Sequence, residues 1–91
     1  MQKDWLYEPV ISYYESLLFY NALFQYKDNF YYSPIAIAKR EETGTKYRFL
    51  CIAKPKTYPG ACSHLTTIEI YKPANGMPYT TKLSRIPFPQ L

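Results

Sequence analysis

Cys51, Cys62 and His64 are the soft-ligand side chains of this 91-residue chain, with ten residues between the cysteines and one between Cys62 and His64. A zinc centre needs four ligands at recognisable short spacings, and this set supplies three. No metal is expected. The two thiols read instead as one core cysteine and one loop cysteine. Cys62-Ser63-His64 sets a thiol, a hydroxyl and the sole imidazole side by side. Catalytic partners meet in space rather than in sequence, and no nearby acid is placed to orient His64. Glu41-Glu42 suits the solvated tip of a hairpin better than paired acid–base work. Three glycines, widely spread, form no phosphate-cradling loop. No catalytic residue, cofactor or metal is nominated, and a non-catalytic role is favoured over an enzyme.

What remains is cationic and aromatic. The chain has a net charge of +4 and carries eleven Tyr, five Phe and one Trp. The charge is lopsided. Residues 1–38 hold two cations against four acids, whereas residues 39–91 hold nine against three. Such asymmetry fits an anionic partner, because phosphates are bound by Lys and Arg with counterion release. The nucleic-acid-binding candidates are Lys39, Lys46, Arg48, Lys54, Lys56, Lys82 and Arg85, with Tyr58 as a ring among them. On a strand over 45–54, Lys46, Arg48 and Lys54 share one face, while Tyr47 and Phe49 take the other. Rings and cations are thereby separated, and backbone contact without base recognition is the expectation. Tyr58, Tyr71 and Tyr79 are the rings able to join the basic side.

These residues need a scaffold, and the chain is long enough for one domain only. Residues 9–28 read as a helix. Pro9 suits a first helical position, and Ser12 with Glu15 offers a capping box as a second start. Apolar residues surround this segment almost completely, so it should be covered on more than one side. Phe19, Leu23 and Tyr26, with Phe88 from the tail, are the candidate interface residues. Period-two patterns with turn signals place strands near 33–40, 45–54, 65–72 and 79–86. The fold class is α+β: one N-terminal helix on a four-stranded, mainly antiparallel sheet of two hairpins, with an extended tail over 87–91.

Register follows from the turns. A loop over 41–44 sets Ala38 opposite Tyr47 and Ala36 opposite Phe49 on the inner face. It also sets Ile37 opposite Arg48 and Lys39 opposite Lys46 on the outer face, a like-charge pair. Asn75-Gly76 predicts a two-residue turn, unless Pro73 and Pro78 widen it. That register pairs Ile70 with Thr81, Ile68 with Leu83, Leu65 with Ile86, and Glu69 with Lys82 as an ion pair. Residues 55–64 form a long loop.

No segment approaches the ~20 apolar residues that cross a bilayer, and no leader-like pattern opens the chain, so a cytoplasmic location with reduced thiols is expected. Three functions are weighed. The first is a small binding protein of a microbe or mobile element, contacting nucleic acid or a nucleic-acid-handling protein through a basic sheet face. The second is a protein-interaction module, a homodimer or an inhibitor-like factor, using the apolar helix and its tyrosines. The third is an endoribonuclease like the small ribosome-dependent toxins. Arg48, Lys54, Tyr79, Lys82 and Arg85 would then stand in the site, although no motif matches and those proteins usually carry two helices before the sheet.

Overall fold

A computed structural model describes residues 5–24, 26, 28–56 and 62–86. It has one helix, α1 (Tyr13–Leu23), and four strands: β1 (Phe30–Glu42), β2 (Gly44–Pro55), β3 (His64–Lys72) and β4 (Tyr79–Ile86). The strands form an antiparallel meander in the order β1-β2-β3-β4, and α1 packs on one side of it.

The helix is shorter than the residue pattern predicts. It starts at the capping box and not at Pro9. The Ser12 hydroxyl accepts from the Glu15 N–H at 3.1 Å, and the Glu15 carboxylate accepts from the Ser12 N–H at 2.9 Å. Upstream, Glu8 pairs with Ile37 through both backbone hydrogen bonds, which anchors the chain at the edge of β1 before it bends at Pro9. Downstream, Asp28 accepts from the Phe30 N–H at 3.0 Å and from the Tyr32 hydroxyl. This side-chain turn launches β1 and ends any helical continuation. Eleven residues make a marginal helix in water, so packing must hold it.

That packing centres on Phe19 and Phe49, whose rings lie 4.8 Å apart. Leu18, Ala22, Ile37, Tyr47, Cys51, Ile68 and Ile70 complete the buried inner layer. Removing a ring such as Phe49 from a core of this kind costs about 3–5 kcal/mol. The Thr80 hydroxyl donates to the Ala22 carbonyl at 3.3 Å and ties β4 to the helix end.

The first hairpin turns more tightly than a 41–44 loop. Glu42 pairs with Gly44, leaving Thr43 alone at the tip, and a bulge follows Pro34. Pro34 lacks the N–H that a regular ladder needs, which suits both an edge strand and a bulge. The resulting register corrects the expected one. Ile37 lies opposite Phe49 and Lys39 opposite Tyr47, on the inner side, while Ala36 and Ala38 turn outward. The second hairpin uses the wider loop, residues 73–78, not a two-residue turn. Its register keeps Ile68 with Leu83, Glu69 with Lys82 and Leu65 with Ile86, but a bulge moves Ile70 onto Thr80.

Candidate functional site

Alternation along β2 and β3 fixes which side chains reach the side of the sheet away from α1. Arg48 and Lys46 face outward on β2, beside Arg40 on β1 and Glu69 and Tyr71 on β3. Lys82 and Tyr79 continue the row on β4. At the other end, Lys54 pairs in register with Tyr31, and the Lys56 ammonium sits 5.1 Å from the Tyr31 ring centre. The like-charge pair expected of Lys39 therefore exists with a different member: Arg40 stands opposite Lys46.

Trp5 is the residue that pattern reading missed. Its ring lies 4.4 Å from the guanidinium carbons of both Arg40 and Arg48. Ala38, which pairs with Arg48, is only 2 % exposed although it belongs to the open side. The edge bridge at Glu8 brings this ring into place, and Trp5 and Tyr7 share a side because alternate residues of an extended chain do. The Tyr7 hydroxyl is pushed up by burial, against the opposing pull of the Arg48 charge beside it. A period-two Trp-x-Tyr was the available signal. Six residues broken by Pro9 are too few for a strand pattern to register.

Charges on this face are unevenly satisfied. Glu69 pairs with Arg48 at 2.8 Å, and not with Lys82 across the hairpin. Lys46 reaches Glu42 at 3.5 Å. Among the described residues Lys54 and Lys82 make no ion pair. Tyr71 and Tyr79 meet edge to face at 5.8 Å and wall an open depression of about 430 Å³, floored by Lys46 and Glu69. The Tyr71 hydroxyl donates to the Thr43 carbonyl and pins the first hairpin tip.

Several nominated residues lie elsewhere. Lys39 is on the helix side, bound to Glu15 at 3.0 Å. Burial raises the Glu15 carboxyl, but the Ser12 N–H and the Lys39 ammonium outweigh it and hold the group below its ordinary range. Arg85 pairs in register with the buried Thr66, so it also leaves the basic face, and with it the five-residue nuclease constellation. Tyr58 and Phe88 fall outside the described residues. Phe19 is wholly buried and Leu23 packs on the core, which withdraws both from an external interface, while Tyr26 remains exposed.

The soft ligands do not converge. Cys51 is buried beneath α1, Cys62 is exposed, and among the described residues no three of His, Cys, Asp and Glu group as metal ligands would. No helix among those residues is long and apolar enough to cross a membrane. Comparison with known protein families, with characterised proteins and with solved structures finds no match for this chain.

Proposed function

We propose that the open sheet face binds single-stranded nucleic acid. The observation that carries this reading is the sharing of one face by cations and rings: Arg40, Lys46, Arg48, Lys54 and Lys82 with Trp5, Tyr31, Tyr71 and Tyr79. Phosphates seek unpaired ammonium groups, and of the lysines Lys46, Lys54 and Lys82 on this face, Lys54 and Lys82 make no ion pair among the described residues. Bases stack on exposed rings at roughly 1–3 kcal/mol each, with little sequence preference. Tyr79 and Tyr31 are the exposed rings beside those lysines. A sheet face of this kind favours splayed single strands over duplex, whose bases are already stacked.

The chain's one tryptophan lies inside the proposed site and reports on it. Titrating oligothymidylate into the protein at low salt is expected to change Trp5 fluorescence saturably. Affinity should fall with added salt, with a log–log slope of about −0.7 per phosphate neutralised. Lys54→Glu with Lys82→Glu should weaken binding at least about tenfold and flatten that slope, since both contacts are electrostatic. Absence of a fluorescence change at low salt, or a double variant that binds like wild type, would refute the reading.

A further inference from the structure

The outward side of α1 carries Tyr13, Leu17, Tyr20 and Phe24 at spacings of four, three and four residues, which align them along one stripe. Tyr13 and Phe24 are each 80 % exposed. Beside the stripe, Tyr14, Leu17, Met77 and Pro78, with Asn21 and Lys72, line a mostly apolar groove of about 240 Å³ between the helix and the 73–78 loop. Within α1 the one charged residue is Glu15, and it turns inward to Lys39. A stripe this apolar is larger than scattered surface hydrophobes explain.

We infer that this stripe pairs with the same stripe of a second copy of the chain, across a two-fold axis with the helices antiparallel. Three features select a second copy. First, the exposed parts of Tyr13, Tyr14, Leu17, Tyr20, Phe24 and Met77 come to roughly 600–800 Å², near the ~800 Å² per partner of a standard stable interface. Second, the stripe is self-complementary. Its midpoint falls between Leu17 and Tyr20, so antiparallel pairing sets Leu17 against Tyr20 of the second copy and Tyr13 against Phe24 of the second copy. Third, the arrangement suits the charge. Among the described residues most cations lie on the far side of the sheet, with Lys39, Lys72 and Arg85 on the helix side, so helix-to-helix contact brings two basic molecules together with less repulsion than sheet-to-sheet contact.

Light scattering or sedimentation from about 1 to about 100 µM, the span that resolves a micromolar Kd, is expected to give twice the chain mass. Leu17→Glu should weaken self-association at least about tenfold, by placing an unpaired charge at the contact. Leu17 is half-exposed, so an unchanged urea midpoint and far-UV circular dichroism check the variant's fold. The geometry has its own test. A chain with Tyr13→Glu and Phe24→Lys should still dimerise, because antiparallel pairing sets the introduced carboxylate of each copy against the introduced ammonium of the other, whereas a chain with Tyr13→Glu and Phe24→Glu should be monomeric. A wild type that stays monomeric throughout, or a Leu17→Glu chain that dimerises normally, overturns the inference. A Tyr13→Glu, Phe24→Lys chain as monomeric as the Tyr13→Glu, Phe24→Glu chain overturns the antiparallel pairing.

Discussion

Cys51 shows how one position takes its chemistry from its surroundings. It lies fully buried on the inner face of β2, with its Sγ 3.8 Å from the Phe49 carbonyl, and burial pushes the thiol up to about 12. Reactivity belongs to the thiolate, so a thiol held neutral in the core is inert. Cys62 is exposed. A disulfide reagent is expected to titrate one thiol rapidly in the native protein and the second only on unfolding; two fast thiols would contradict this. Stability should follow the same group. The unfolded thiol ionises near 9.0, the folded one near 12, so the folded state resists a deprotonation that the unfolded state accepts. Stability from this source is full below pH 9 and is lost as pH rises from there towards 12. Burial raises the Tyr7, Tyr32 and Tyr47 hydroxyls as well, and their loss adds above their ordinary value of 10.0. Urea midpoints measured between about pH 8 and pH 11 should decline, and Cys51→Ala should remove the earliest part of the decline.

Among the elements, the first hairpin decides most. Gly44 takes φ of +101°, and a Cβ there would come within 2.6 Å of the Lys72 carbonyl oxygen and 2.7 Å of the Tyr71 hydroxyl. Gly44→Ala is expected to cost about 1–3 kcal/mol, from the left-handed backbone alone, with the clash adding to it. A urea midpoint equal to wild type would count against this turn. The same hairpin shows what the residue pattern could and could not carry. The alternation through Thr45–Lys54 places Tyr47, Phe49 and Cys51 inward without ambiguity, because the side-chain period is two. The partner strand has no such anchor. Residues 35–38 alternate Ile and Ala, either set of which suits a core, so turn length alone decides the side. From Ala36 to Glu42 the expected and observed registers differ by one residue, and a slip of one moves those side chains of β1 to the other face; the bulge after Pro34 returns Phe30–Pro34 to the expected register. Lys39 went inward to Glu15, and Arg40 took its place on the basic face. The four strands and the Glu69–Lys82 register were legible because alternation and turn residues are local. The Trp5 contact and the Arg48–Glu69 pair join residues distant in sequence, which no local pattern encodes.

At the scale of the whole molecule, the sheet separates two surfaces of opposite character. The shortest dimension is 21 Å, the thickness of a helix layered on a sheet. The apolar stripe of α1 occupies one side, and Arg40, Lys46, Arg48, Lys54 and Lys82 occupy the other. If the stripes pair and the basic faces bind single strands, the two basic faces of a dimer point away from each other. Neither face is then hidden by dimerisation, and two sites too far apart to share one short strand are free to hold separate ones. Such a dimer bridges strands without any contact beyond those of each copy, an effect of valency rather than of affinity. The bridging is measurable with one biotinylated oligothymidylate on beads and a second, fluorescent one in solution. Wild type is expected to carry the fluorescent strand onto the beads at low salt. The Leu17→Glu chain should be retained by the immobilised strand and carry none of the second, because its open face is intact and its stripe is broken. The Lys54→Glu, Lys82→Glu chain should be retained poorly, with its self-association unchanged. A Leu17→Glu chain that still bridges would place two strand sites on a single copy and break the proposed division of labour between the two sides of the sheet.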